Sequence, residues 1–115
     1  MIFGMNDNYP IIVKSYNLTL WYLKKIEKLP KNHRYTLGEK IQQSLLDLLM
    51  ILSDTIYSKN KHALLTQANQ EIERLRLLTK LIKDLSILST DNNRFVISSL
   101  NEIGQMIGGW RKTLR

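Results

Sequence analysis

The positions of glycine and proline constrain the fold of this chain more than any other feature of its sequence. No proline follows Pro30, and no glycine lies between Gly38 and Gly104. Because glycine and proline most often interrupt helices and strands, long unbroken elements are expected over this stretch. Apolar residues recur there at helical spacing, and no convincing run alternates apolar with polar residues as a half-buried strand does. The chain is therefore predicted to be all-α.

Helical periodicity divides the chain into segments joined by short links. The predicted helices cover roughly residues 10–29, 36–58, 62–89 and 91–113. Long helices with short connections fold most simply as an antiparallel up-down-up-down four-helix bundle. At 115 residues the chain is expected to form a single domain, residues 1–115, around one core.

Local signals mark where the first two helices begin and end. Pro10 suits the first turn of a helix. Leu29 precedes Pro30, and a proline disfavours the helical conformation of the residue before it. Thr36 and Glu39 have the spacing of a capping box. A loop is therefore predicted between Pro30 and Thr36, with the second helix opening at Thr36.

The second and third helices carry more apolar surface than one four-helix core requires. Leu46, Leu49 and Met50 lie off the main apolar stripe of the second helix. Leu77 and Leu81 lie off that of the third helix. Surplus apolar surface on a basic protein usually marks a partner or self-association, so we expect a homo-oligomer.

The third helix also predicts a basic stripe. On a helical wheel Arg76, Lys80 and Lys83 line up nearly opposite the apolar side. That apolar side is formed by Leu75, Leu78, Ile82 and Leu85. Arg74 falls inside the apolar arc three residues after Glu71, a spacing that predicts an ion pair.

The charge balance indicates a polyanionic partner. Lysines and arginines number 17 against 10 aspartates and glutamates, a net charge of +7 at pH 7. A small protein with this excess attracts polyanions, and nucleic acid is the commonest of these in the cytosol. The alternative is a protein that is basic without binding nucleic acid.

The residues that catalysis or metal binding requires do not form a recognisable pattern. The chain has no cysteine, and its histidines are His33 and His62. Pro30 and Lys59 stand three residues before them, so the Glu-x-x-His pairs of a di-iron bundle do not occur. No glycine-rich strand-to-helix turn is present to cradle phosphate. We expect no catalytic residues, no metal site, no cofactor and no enzyme activity.

Hydropathy favours a cytoplasmic protein. No apolar segment reaches the length of a membrane span, about 20 residues. The N-terminal residues do not have the basic and then apolar pattern of a secretory signal. Together with the absence of cysteine, these observations predict a cytoplasmic protein with no membrane partner.

The C-terminal segment carries three glycines in a helical pattern. Each glycine destabilises a helix by about 1 kcal/mol relative to alanine, so the presence of three in one helical segment requires an explanation. Gly104 and Gly108 share one helix face, where another helix could approach closely. Alternatively, Gly108 and Gly109 fray or end the helix and hold Trp110 beside the basic residues that follow. A third interpretation is an inefficient terminal helix with a core tryptophan.

Three stretches of the chain resemble one family. Pro30 to Ile41 resembles a PK-x-x-R-Y-x-L-G-x-x-I opening of a second helix. Leu75 to Leu85 resembles the LR-x-L-x-[RK]-L-x-KDL core of a third helix. Glu102 to Lys112 resembles the C-terminal motif EIG-x-x-[LI]-GGW-x-K, which is the most specific of the three. The family is the accessory variability determinant (Avd) proteins of diversity-generating retroelements, and the resemblance covers about residues 10–113. The related proteins encoded in 23S rRNA intervening sequences lack the GGW ending.

The resemblance implies a fold, partners and a function. The implied fold is a four-helix bundle that assembles into a basic homopentameric barrel. The implied partners are the reverse transcriptase of the retroelement, its template RNA and the cDNA. The complex would support adenine-directed mutagenic copying of a template repeat into a variable gene. Lys80 departs mildly from the family, since arginine is common there and lysine lacks its bidentate fork.

Two sets of residues are candidates for these contacts. The candidates for nucleic-acid or partner binding are Lys24, Lys25, Lys28, Lys31, Arg34, Arg76, Lys80, Lys83, Arg111 and Lys112. The candidates for helix packing and subunit contact are Gly104, Gly108, Gly109 and Trp110. Basic side chains on a helix reach phosphates rather than base edges, so binding would be largely independent of sequence. For each basic residue the alternative is a solvated surface position, and Arg34 and Arg76 could instead pair with acidic residues.

Two other functions stay open at this point. A protein of the 23S rRNA intervening-sequence type would also be an RNA-associated bundle, but outside any retroelement. A structural helical scaffold would bind only proteins. A neighbouring reverse transcriptase gene would separate the retroelement role from the first alternative. RNA binding at near-physiological salt would separate it from the second.

Overall fold

Four long helices build the protein. The computed structural model describes residues 9–114 and contains no strand within them. The helices are α1 (Pro10–Glu27), α2 (Glu39–Tyr57), α3 (Lys61–Asp84) and α4 (Thr90–Lys112). Each packs against the next, and α4 returns to pack against α1. This closed order confirms the predicted four-helix bundle, which measures 45 × 28 × 22 Å.

One apolar core fills the space between the four helices. Every helix contributes side chains that are almost completely buried, among them Tyr22, Leu45, Leu52, Ile72, Leu75, Leu100 and Ile103. Burying each such side chain stabilises the fold by roughly 1.5–3 kcal/mol. None of the helices within residues 9–114 is long and apolar enough to cross a membrane.

The segment predicted as a loop after Pro30 is helical instead. A short helix, Lys31–His33, leads into a π-helical turn, Arg34–Gly38, which continues directly into α2. Thr36 forms no capping box, because its hydroxyl donates a hydrogen bond back to the carbonyl of Asn32 at 2.8 Å. Pro30 therefore starts the second helical segment as its N-cap, with ψ of 146°.

Gly38 is buried where this turn meets α1. A Cβ atom at this position would lie 3.0 Å from Ile26 Cγ2 and 3.3 Å from the carbonyl oxygen of His33. This carbonyl belongs to the short helix that leads into the turn, and as part of the backbone it has little freedom to move. The missing side chain thus lets α1 and the start of α2 pack closely.

Replacing Gly38 by alanine is expected to destabilise the fold by about 1 kcal/mol. Overpacking costs roughly 1–3 kcal/mol, and the better helix propensity of alanine returns only part of this. Gly104→Ala is the matched control, because a Cβ there meets only Arg76 Nη2, at 3.5 Å. Urea unfolding of both variants measures the difference. A Gly38→Ala variant as stable as Gly104→Ala would contradict the crowding described above.

The third helix ends five residues before its predicted end at residue 89. Ser86 takes up the left-handed conformation, with φ of 61°, and stops α3 at Asp84. The amides of Ile87 and Leu88 then both donate to the carbonyl of Ile82, at 2.9 and 3.2 Å. The turn leads to Ser89, whose hydroxyl caps α4 by accepting from the amide of Asn92 at 3.1 Å.

The core face of α3 is rotated from the predicted one. Its buried residues are Leu65, Ala68, Ile72, Leu75, Thr79 and Ile82. Leu85, predicted for the core, is 52% exposed because α3 has already ended. Leu78 is only partly buried. The predicted ion pair between Arg74 and Glu71 is confirmed at 3.7 Å, and Glu71 also accepts a hydrogen bond from Ser44 of α2 at 2.7 Å.

Candidate nucleic-acid interface

Positive charge is concentrated at one end of the bundle. At this end α1 and α3 finish, and α2 and α4 begin. We call it the basic end, formed by Lys24, Lys25, Lys28, Lys31, Arg34, Lys40, Lys80, Lys83 and Arg94. The acidic residues of the same segments are fewer: Glu27, Glu39, Asp84 and Asp91. The bundle topology thus gathers most of the predicted basic residues, although they lie far apart in the sequence.

Three lysines lie close together in the sequence at the C-terminus of α1. Lys24 and Lys28 are exposed and Lys25 is partly exposed; together we call them the α1 lysine cluster. Cations are favoured there because the carbonyl end of a helix carries partial negative charge. Within residues 9–114 none of the three forms a salt bridge. Their charge is therefore not neutralised by a neighbouring carboxylate.

Arg34 has a structural role in the turn that follows. Its guanidinium donates to the carbonyl of Leu29 from Nε at 3.4 Å and from Nη2 at 3.2 Å. It also lies 5.7 Å from the ring centroid of the exposed Tyr35. Arg34 thus satisfies the carbonyl left over at the end of α1, rather than pairing with an acidic residue. Lys31, in the adjoining short helix, is exposed.

The basic stripe predicted on α3 is largely neutralised within the protein. Arg76 pairs with Glu73 of its own helix and donates to Asn101 Oδ1 of α4 at 2.9 Å. Lys80 Nζ lies 2.7 Å from Asp84 Oδ2, and this hydrogen bond holds the pKa of the Asp84 carboxyl below its usual range. Lys83 forms no salt bridge within residues 9–114. Of this stripe, Lys83 is the cation best placed to meet a phosphate.

Arg94 is a basic residue of this region that the sequence reasoning missed. It lines a groove on the surface of α4 together with Lys83 and the polar residues Asn93 and Asn101. Its guanidinium lies 3.6 Å from Asp91. The N-terminus of α4 and the C-terminus of α3 meet at the same end of the bundle. The predicted antiparallel order of the helices would therefore have placed Arg94 near Lys83.

Two aromatic side chains beside the lysines were also missed. The ring centroids of Trp21 on α1 and Phe95 on α4 are 4.6 Å apart, with the planes inclined by 48°. Lys25 Nζ lies 5.3 Å from the centroid of the Trp21 ring. Phe95 is 45% exposed although it is apolar. The basic end therefore combines cations with an accessible aromatic surface.

Arg111 and Lys112 lie at the other end of the bundle. They form the last turn of α4, whereas the basic end holds its first turn. With the bundle 45 Å long, these two residues do not belong to the same surface as the α1 lysine cluster. The ten candidates thus do not form one continuous site.

The C-terminal glycines do not end the helix. Helix α4 continues through Gly108 and Gly109 to Lys112, so the interpretation that they fray or terminate it is wrong. A Cβ at Gly108 or Gly109 would meet no atom within 4 Å among the described residues. Trp110 is partly buried, and its ring centroid lies 5.8 Å from that of Tyr9. Nothing within residues 9–114 requires glycine at either position.

Replacing Gly108 by leucine is expected to preserve the fold and weaken self-association. The free helix gains several tenths of a kcal/mol, since leucine is the better helix former and a Cβ at this position has open space among the described residues. An approaching subunit would instead be displaced by the added side chain. Circular dichroism and light scattering together measure the two effects. An unchanged oligomer with a higher melting temperature would show that the glycine is incidental.

Apolar side chains remain exposed along α3 and α2. Leu77 and Leu81 of α3 are 70% and 43% exposed, and Leu85, which directly follows the helix, is 52% exposed; we call these three residues the leucine stripe. Leu46 and Met50 of α2 are exposed as well, and Leu49 is partly exposed. The sequence predicted more apolar surface on these helices than one bundle core needs, and these side chains do lie outside the core.

The comparison with known proteins assigns the chain to a family. A family model described as bAvd-like matches residues 11–114. The chain belongs to the bAvd-like family. No curated protein matches it. The family match spans all four helices of this bAvd-like chain, including the basic end, the π-helical turn and the glycine-rich end of α4.

Proposed function

We propose that this chain is a non-enzymatic accessory protein of a diversity-generating retroelement, acting in the cytoplasm. It binds the reverse transcriptase and holds template RNA and cDNA near it, and so supports mutagenic reverse transcription. Membership of the bAvd-like family supports the retroelement role. The single observation that carries nucleic-acid binding is the α1 lysine cluster, whose three charges have no carboxylate partner within residues 9–114.

Binding at the basic end would act mainly through phosphates. Lysine side chains on a helix reach the nucleic-acid backbone and carry no information about base sequence. Such contacts position a strand and release counterions, so the affinity falls steeply with salt. This suits an accessory protein that must follow a template regardless of the bases that it contains.

We further propose that the protein works as a homo-oligomer, with five subunits as its family resemblance implies. The leucine stripe supports this proposal, because Leu77 and Leu81 lie exposed four residues apart on α3 and the exposed Leu85 directly follows the helix. Monomers rarely leave a contiguous apolar patch uncovered, and such patches usually mark an interface. An assembly would also present the basic end several times, which raises the avidity for a long polyanion.

Replacing Leu77 and Leu81 by glutamine is expected to shift the protein toward monomers. Both side chains are exposed, so their loss should leave the stability of the protomer within about 0.5 kcal/mol of wild type. A second variant replaces Leu46 and Met50 of α2 by glutamine, and it tests whether the exposed apolar side chains of α2 take part in the same interface. Native mass spectrometry at micromolar concentration measures the subunit number. A wild-type monomer would overturn the oligomer, and an unchanged assembly in the α3 variant would overturn this interface.

Two measurements test the proposed function. The first is binding to template RNA at near-physiological salt, where a protein-only scaffold would not bind. The second is a pull-down with the reverse transcriptase encoded by a neighbouring gene. A gene neighbourhood without a reverse transcriptase would favour an rRNA intervening-sequence-type role. RNA binding together with capture of the enzyme is the expected result, and loss of either contradicts the proposal.

A further inference from the structure

We propose that Trp21 and Phe95 form a stacking site for an unpaired base of single-stranded RNA. Lys25 and Lys28 would hold the phosphates beside that base. The inference rests on the proposed function, which supplies the template RNA as a single strand. It adds a specific apolar contact to binding that would otherwise be purely electrostatic.

The first argument is the exposure of the aromatic pair. Trp21 is partly buried against the core and is held in place by that packing. Phe95 packs on it with a centroid distance of 4.6 Å, yet 45% of Phe95 faces solvent. Trp21 therefore supports the Phe95 ring from the core side, and part of that ring is open to a ligand.

The second argument is the position of charge around this pair. Trp21, Lys25 and Lys28 follow one another at intervals of four and three, so they share one face of α1. Lys25 Nζ lies 5.3 Å from the Trp21 ring centroid. On the other side of the pair, Lys14 of α1 binds Glu102 of α4. Of the lysines of α1 named here, those without a carboxylate partner in residues 9–114 thus lie on the side of the aromatic pair toward the basic end.

The third argument is chemical complementarity. A nucleotide combines a planar base with an anionic phosphate, and this site combines aromatic rings with ammonium groups. Proteins that bind single strands without sequence preference use this combination, because every base has a π-face. A base in a duplex is already stacked and cannot enter the site. The charge of the surroundings therefore favours a single-stranded nucleic acid over an apolar protein segment as the occupant.

The test compares Phe95→Leu with Phe95→Tyr. Leucine keeps an apolar side chain at an exposed position but removes the ring, and tyrosine keeps the ring. We expect Phe95→Leu to weaken binding of a labelled oligo(U) RNA roughly 5- to 150-fold, and Phe95→Tyr to bind like wild type. Fluorescence anisotropy measures the affinity over a series of salt concentrations, and circular dichroism checks the fold.

The salt dependence separates stacking from charge. Phe95→Leu should lower the affinity at every salt concentration without changing the slope. Lys25→Gln should flatten the slope by roughly 0.7, the contribution of one phosphate bound by its ammonium group. Inorganic polyphosphate, which has no bases, and duplex RNA should bind wild type and Phe95→Leu equally.

The outcomes distinguish this inference from the proposed function. RNA binding by wild type with no loss in Phe95→Leu overturns the stacking site and leaves the function intact. Absence of RNA binding by wild type overturns both. A Phe95→Leu variant that loses its oligomeric state or the reverse transcriptase, but keeps its affinity for RNA, identifies a protein contact and also overturns the site.

Discussion

Replacing Lys24, Lys25 and Lys28 together by glutamine is expected to weaken RNA binding on the order of 100-fold at 0.1 M salt. Each phosphate contact contributes about 0.7 to the salt slope for a single strand, so three contacts contribute about 2. The slope should therefore fall by that amount. Glutamine has nearly the helix propensity of lysine, so the fold should survive. Titration of unrelated RNA sequences at several salt concentrations measures both quantities.

The matched control is the triple replacement of Arg76, Lys80 and Lys83 by glutamine. Both variants lose three positive charges, so long-range attraction falls equally. Arg76 and Lys80 are already paired with carboxylates of their own helix. Of these three residues, Lys83 is the one that forms no salt bridge within residues 9–114. We therefore expect the control variant to lose one phosphate contact, which corresponds to roughly a 5-fold loss of RNA affinity at 0.1 M salt.

The comparison has two informative contrary results. Equal losses in both variants would show that net charge alone drives binding and that the α1 lysine cluster is not a site. An α1 variant that keeps its affinity for RNA but loses the reverse transcriptase in a pull-down would make the cluster the enzyme-binding surface. In that case the phosphate contacts of the basic end would have to come from other residues.

The fold was predictable because long helices leave a strong periodic signal. The segment after Pro30 was not, because two local rules competed there. A proline predicts the end of the helix before it, and α1 does end three residues earlier, at Glu27. A proline can also stand at the start of the next helix, and here the Lys31–His33 helix begins directly after Pro30. Thr36 matches a capping box in sequence, but its hydroxyl binds the carbonyl of Asn32 within a helix that has already begun.

The candidate site was predictable in its charge but not in its arrangement. Glu73 precedes Arg76 by three residues and Asp84 follows Lys80 by four, so both ion pairs were visible in the sequence. A wheel that compares only apolar and basic positions overlooks them. The contact of Trp21 with Phe95 has no local signal, because 74 positions separate the two residues and only the return of α4 to α1 joins them.

The second large effect concerns the buried hydroxyl of Tyr22. The side chain is 1% exposed, and its hydroxyl shares a 2.8 Å hydrogen bond with Thr79 Oγ1 of α3. Burial disfavours the phenolate and raises the pKa of Tyr22 from 10.0 to about 12. The unfolded chain loses this proton first, so stability is fully present below pH 10 and falls as the pH rises toward 12. The expected loss is about 2–3 kcal/mol of unfolding free energy.

Tyr22→Phe isolates this effect from the other groups that titrate in alkali. At pH 7 the variant should be about 1 kcal/mol less stable than wild type, because one buried hydrogen bond is removed. The Thr79 hydroxyl can turn to the carbonyl of Leu75, four residues earlier in its helix, which limits that loss. Near pH 12 the order should reverse, since phenylalanine has no proton to release.

Thr79→Val provides the complementary measurement. Valine removes the partner and leaves the Tyr22 hydroxyl buried without a hydrogen bond, at a cost of about 1–3 kcal/mol at pH 7. The hydrogen bond from Thr79 lowers the pKa of Tyr22, so its loss should raise that pKa further and shift the alkaline decline upward. Urea unfolding at pH 7, 9, 10.5 and 11.5 follows all three proteins. If the unfolding free energies of wild type and Tyr22→Phe changed in parallel with pH, Tyr22 would ionise without destabilising the bundle. That result would mean that water reaches its hydroxyl in the folded protein.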